Sequence, residues 1–329
     1  MTACSKHLAY ELFLTHRNHV VNSKPAGLPT LFRLFAYFGG VVLLACLLSP
    51  PLYWVGSWLA GIGVLPIVEG FPFHRYFSRS VQISAIVLLY PAFRSLGVRR
   101  LSDLGLQPNS QWKRDLSSGF FLALVPVVLM GAAYIFSGVF SPKANVDAFG
   151  FLRIGGTAVV VSTIEEFLFR GVLLGLAVSV MSRHTAAFLS AALFALVHFM
   201  RTSRQPMEAP VGWFSGFEQL PLAFSSAPPW PLFGWGFLSL LIAGILLAYA
   251  TLHTRSLFIA MGLHAGWIFG QQSLQLVAQF RPKPPGSLLP WVGPNVVSGA
   301  VPTGLVPALV LLTTCVLVWI YFRRVSRPA

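Results

Sequence analysis

Residues 161–170 read VSTIEEFLFR, two adjacent carboxylates and a guanidinium inside an otherwise apolar run. A carboxylate at the centre of a membrane helix costs roughly 2.5–3.5 kcal/mol on insertion scales, so the pair needs a compensating cause. Glu166 and Arg170 stand four residues apart, on one helical face and in the favourable acidic-first order, so local pairing accounts for Glu166. Glu165 points about 100° away around the helix. It has no cation within its own turn and needs a partner from another segment, or a chemical role.

Two imidazoles downstream qualify as partners. His198 closes the apolar run AALFALVHFM, with Phe194 one turn before it on the same face. His264 lies in FIAMGLHAGWIFG between Gly262 and Gly266, a small-xxx-small spacing that lets a second helix approach the backbone beside the ring. A lone histidine on an apolar helix is usually a packed core residue. Two of them beside an unpaired carboxylate make a different pattern. A carboxylate in a water-poor site can take a proton from a bound water and deliver it to a leaving amine. His198 would orient that water, and His264 would donate a hydrogen bond to the developing oxyanion. This is the layout of a peptidase.

The segments that must position these groups are apolar. Only nine acidic residues occur in 329, against 55% hydrophobic residues, which excludes a soluble surface for most of the chain. The expected fold is all-α, a polytopic transmembrane helical bundle of about eight spans with the catalytic cleft inside the membrane, because open backbone cannot face lipid. The spans fall near 31–50, 80–98, 117–139, 152–180, 184–200, 234–252, 256–277 and 303–322. A shorter apolar stretch at 52–68 is either re-entrant or a ninth crossing. The expected division is residues 1–115, a lead-in with two spans and a basic loop, and residues 116–329, a protease core with a final span.

The net charge of +14 is spread over short clusters between apolar runs, so it marks topology and lipid headgroups and excludes a nucleic-acid face. Arg94, Arg99, Arg100, Lys113, Arg114, Arg183, Arg255, Arg323, Arg324 and Arg327 fall on one side of an eight-span path, with Arg201, Arg204, Arg281 and Lys283 on the other. The majority side is expected to be cytoplasmic, together with both termini. Residues 1–21 lack the pattern of a signal peptide and are expected to form an amphipathic or irregular lead-in. Cys4, Cys46 and Cys315 are too scattered for a disulfide framework or zinc motif and are expected to pack. Residues 201–233, rich in proline and aromatics, suit an interfacial loop or lid.

Taken together, E-E-x-x-x-R (Glu165, Glu166, Arg170), F-x-x-x-H (Phe194, His198) and G-L-x-A-G-W with its histidine (Gly262 to Trp267) resemble the CPBP family. These are CAAX prenyl protease and bacteriocin-processing, abortive-infection-like intramembrane endopeptidases. The resemblance covers about residues 152–270, with a weaker echo in SDLGL…WKRDL before it. It implies that Glu165 activates water, His198 assists it, His264 serves the oxyanion, and Glu166 with Arg170 supports the helix. The partners implied are a membrane-associated protein or peptide substrate and the lipid bilayer, and the expected location is a bacterial inner membrane.

One position departs from the family. Its members carry asparagine four residues after the last histidine, and this chain has Ile268. Gln271 and Gln272, seven and eight residues after His264, are the candidate substitutes as oxyanion donors. The family is often labelled metalloprotease. Because H-E-x-x-H is absent and the donors lie on three helices, glutamate-activated water without a required metal is the expected chemistry; zinc, if bound, would take Glu165, His198 and His264. Two other functions compete. Ile268 is compatible with a non-catalytic immunity or assembly factor. Intramembrane carboxylates and histidines also suit a proton-coupled transporter, although no inverted repeat is visible in the sequence.

Overall fold

The computed structural model describes residues 28–104, 106–199, 210–225, 228–283, 287–297 and 301–325. The lead-in at 1–21, Cys4, Arg201, Arg204, Arg327 and, within the proline-rich connection, residues 201–209 and 226–227 lie outside the described residues. The architecture is an all-α membrane bundle. Its outer surface carries Phe35, Leu43, Phe121, Leu129, Phe136 and Leu309, while Ser49, Ser80, Glu166, Arg170 and Thr314 are enclosed. That inversion of the soluble pattern is what a lipid solvent demands, since polar groups must find partners inside.

Helix α1 (Leu28–Gly61) runs unbroken through Pro50 and Pro51. The sequence reading separated 31–50 from 52–68; the structure joins 52–61 to the first helix and leaves only a 3-10 turn at Pro66–Val68. The join is possible because the Cys46 carbonyl, which Pro50 deprives of its helical donor, accepts from Ser49 Oγ at 3.3 Å. Helix α2 (Phe73–Leu96) returns beside α1, with Tyr53 packed edge-on against Phe73 and Tyr76.

Helix α3 (Trp112–Phe136) then lies parallel to α9 (Phe258–Val277) in backbone contact. A Cβ on Gly262 would overlap the Leu116 carbonyl oxygen, one on Gly266 that of Phe120, and one on Gly119 that of Ile259. Strands β1 (Phe140–Pro142) and β2 (Ala278–Phe280), which follow the two helices, pair antiparallel and fasten that end. Helices α8 (Trp230–Thr254) and α10 (Leu305–Val325) close the core around Val127, Leu247, Ile259, Leu263 and Val318. A short ribbon, β3 (Gly293–Val297) with β4 (Val301–Thr303), precedes α10.

Helix α4 (Ala148–Glu166) passes without a break into a π-helical segment, Phe167–Leu173, and then α5 (Leu174–Val180). Helix α6 (Arg183–His198) begins on a Ser182 cap whose hydroxyl accepts from the Thr185 N–H. In the connection expected as an interfacial lid, residues 215–225 form α7 (Ser215–Ser225). Gly216 lies so close to the Cys46 carbonyl that no side chain fits between them, and Trp54 Nε1 donates to the Val211 carbonyl at 3.2 Å. This segment is therefore docked on α1.

Among the described residues four helices are long and apolar enough to cross a membrane: Phe35–Gly61 within α1, α3, α8 and α10. The other segments of the eight-span reading are helical but carry arginines, the paired glutamates or the glutamines of α9. The basic clusters do gather at one end of the bundle. There Tyr321 donates to Asp115, Asn109 donates to Asp115 and Ser256, and the Gln107 N–H donates to the Arg255 carbonyl. These bonds tie α3, the α8–α9 connection and α10 together. The SDLGL…WKRDL echo thereby acquires a structural role. Asp103 accepts from the N–H groups of Arg99 and Arg100, bonds that hold its carboxyl below the usual carboxylate range.

Candidate active site

Glu166, Arg170 and His264 form one buried network. Arg170 Nη1 donates to Glu166 Oε1 at 3.1 Å, and neither side chain is exposed at all. His264 Nδ1–H donates to the same oxygen at 2.8 Å. Arg170 Nη2 reaches the Gly244 carbonyl of α8 at 3.4 Å, and the guanidinium lies over the Phe194 ring, 4.2 Å from its centroid. Arg170 lies in the π segment. Its widened turn leaves the Phe169 carbonyl bonded to the Leu174 N–H five residues on, and that carbonyl also accepts from Ser190 Oγ of α6 at 3.2 Å.

Glu165 faces the other way. Its Oε2 lies 3.6 Å from His198 Nε2 and 3.8 Å from His264 Nε2, is buried, and has no hydrogen-bond partner among the described residues. The side chain as a whole is 28 % exposed and that of His198 is 21 % exposed, so this corner is accessible where the Glu166–Arg170 pair is not. His198 is oriented by its Nδ1–H, which donates to the Phe194 carbonyl at 2.7 Å. Phe194 thus works at three points: its carbonyl fixes one imidazole, its ring edge meets His264 at 5.8 Å, and its face carries Arg170.

Both imidazoles therefore spend Nδ1 on the scaffold and turn Nε2 toward Glu165. Glu165 Oε2 and the two Nε2 atoms thus converge on one point. The same convergence raises the question of zinc. Among the described residues no group of three His, Cys, Asp or Glu side chains is arranged to hold a metal ion.

The structure thus brings Glu165, Glu166, Arg170, Phe194, His198 and His264 together. It does not bring the two glutamines to them. Gln271 lines a separate small cavity with Val127, Met130, Ser239 and Leu311. Among the described residues neither Gln271 nor Gln272 is hydrogen-bonded to the cluster. Seven residues of helix put about 10 Å of axial rise between His264 and Gln271, so Gln271 does not stand beside that imidazole as the substitute donor expected from the spacing. The Gly244 carbonyl and Ser190 had no signal in the sequence, since a small residue in an apolar helix carries no mark of what its backbone will meet.

The carboxylates and imidazoles thus meet inside a helical membrane bundle, where α4, α6 and α9 join. Residues 147–270, the stretch holding every member of that cluster, match the family described as type II CAAX prenyl endopeptidase Rce1-like. That match agrees with the CAAX protease family that the three motifs resemble. No curated protein and no solved structure matches the chain.

Proposed function

We propose that the protein is an intramembrane endopeptidase that hydrolyses a peptide bond of a membrane-associated protein or peptide with water activated by Glu165. The observation that carries this reading is the unpartnered Glu165 Oε2 facing both Nε2 atoms at 3.6 and 3.8 Å. Water held between Glu165 and His198 loses a proton to Glu165 as its oxygen attacks the carbonyl carbon. The carbonyl oxygen, becoming negative, accepts from His264 Nε2–H. Glu165 then passes its proton to the departing amine nitrogen, and the C–N bond breaks. Glu166 holds His264 in place, Arg170 holds Glu166, and Phe194 holds His198.

No metal is required in this scheme. Cleavage that survives a strong chelator agrees with it; cleavage lost to chelation and restored by Zn²⁺ overturns it. The CAAX family assignment makes the C-terminal tail of a membrane-anchored protein the first substrate class to test, with other membrane peptides after it.

Ile268 favours a second reading, a family member that keeps the cleft as an immunity or assembly factor without turnover, because a half-buried isoleucine stands where the family has its amide donor. Comparing new protein N-termini in membranes of cells carrying wild type or Glu165→Gln at equal abundance separates the two. Peptides missing only in the variant support the peptidase. Identical profiles support the non-catalytic reading.

A further inference from the structure

A groove opens on the outside of the bundle between the start of α6 and the end of α8, at the end where the basic clusters gather. One end of it is lined by Phe188 and Ile245, both well exposed, and the other end, its mouth, carries Arg183, His184 and His253, with Tyr249 between. Helical rise separates Phe188 from Arg183 by about 7 Å and Ile245 from His253 by about 12 Å along the axis, so the groove is graded from apolar to cationic. No carboxylate lines it. Among the described residues Arg183 has no ion pair or hydrogen-bonded acid, whereas Arg114, Arg153 and Arg170 each have a carboxylate partner. The rings of Tyr249 and Phe322 flank His253 at 5.8 and 4.3 Å, holding it at the rim.

We propose that this groove binds an anionic glycerophospholipid, with the phosphate on Arg183 and the two histidines and one acyl chain along Phe188 and Ile245. A bundle in lipid exposes apolar wall everywhere, but an acid-free cationic mouth continuous with such a wall selects an anionic headgroup over a zwitterionic one. The two helices it bridges matter elsewhere: α6 carries His198 and α8 supplies the Gly244 carbonyl to Arg170. The lipid therefore braces the pair of helices that frames the cluster, and the assignment stands whether or not the cluster cuts peptides.

The test uses the full chain in a neutral detergent, titrated with phosphatidylglycerol or phosphatidylcholine and followed by native mass spectrometry. Phosphatidylglycerol is expected to bind several-fold more tightly than phosphatidylcholine, and inorganic phosphate is expected not to displace it. Arg183→Gln should weaken phosphatidylglycerol about fivefold, the loss of one headgroup cation. Ala187→Trp, which fills the groove and keeps its charge, should weaken it comparably. Arg323→Gln, a cation at the same end stacked on Trp319 and outside the groove, should leave it unchanged. Equal affinity for the two lipids, displacement by phosphate, or equal losses in Arg183→Gln and Arg323→Gln would overturn the proposal. If Arg183→Gln fails to fold, Ala187→Trp decides alone.

Discussion

Helix α9 is built on opposite terms along its two faces. Toward α3 it presents Gly262 and Gly266, and the helices touch backbone to backbone with no room for a methyl group. Toward α4 and α6 it presents His264, whose imidazole is shared between a buried carboxylate and an open one. The first face is dry, rigid and without chemistry. The second is polar, accessible at Glu165, and leaves an acceptor unsatisfied. The difference shows how a membrane bundle keeps a reactive corner: the histidine stands on a helix that its other side does not allow to shift.

Breaking the glycine face should have the largest effect. Gly266→Leu pushes a side chain into the Phe120 carbonyl and Ala123, and no folded protein is expected in a thermal unfolding assay in detergent. Next comes Arg170→Met, which strips Glu166 of its cation in an enclosed site. It should cost about 3–5 kcal/mol, read as a large drop in thermal midpoint, with cleavage lost as well. Phe194→Ala removes the ring under Arg170 and beside both imidazoles. A loss in the same range, roughly 3–5 kcal/mol, is expected, and a full-sized midpoint would mean the ring is not part of the scaffold.

The smallest change sharpens the comparison at the reactive face. Ile268→Asn restores the family's amide on a half-buried position one turn after His264. Stability should move little, and cleavage should hold or rise, by at most the roughly 2.7–4 kcal/mol that an oxyanion donor is worth. Abolished cleavage in a folded variant would contradict the oxyanion role given to His264.

Much of this site was legible in the sequence because it depends on helical period. The four-residue step from Glu166 to Arg170 separated the two glutamates, and the spacing of Gly262 and Gly266 marked the seam beside His264. What depends on tertiary distance was not legible. Glu166 was assigned to Arg170 alone, whereas it also accepts from His264, 98 residues away. The π segment leaves no periodic mark in FLFRGVL, where nearly every position is apolar. Gln271 shares a face with His264 by count, but the neighbours of α9 change along its length, and two turns on it meets a different cavity. The join through Pro50 and Pro51 was hidden because prolines signal a break in water, while in a membrane helix a neighbouring hydroxyl can satisfy the freed carbonyl.

The central claim is that the adjacent carboxylates divide the work, Glu166 holding structure and Glu165 doing chemistry. The most direct measurement is cleavage by purified, lipid-reconstituted Glu165→Gln, assayed as release of new N-termini from a membrane-anchored peptide that the wild type cuts, with its thermal midpoint recorded alongside. A midpoint within about 1 kcal/mol of wild type, since Glu165 Oε2 makes no hydrogen bond for the amide to lose, together with no detectable cleavage, is predicted. Cleavage retained by folded Glu165→Gln would contradict it.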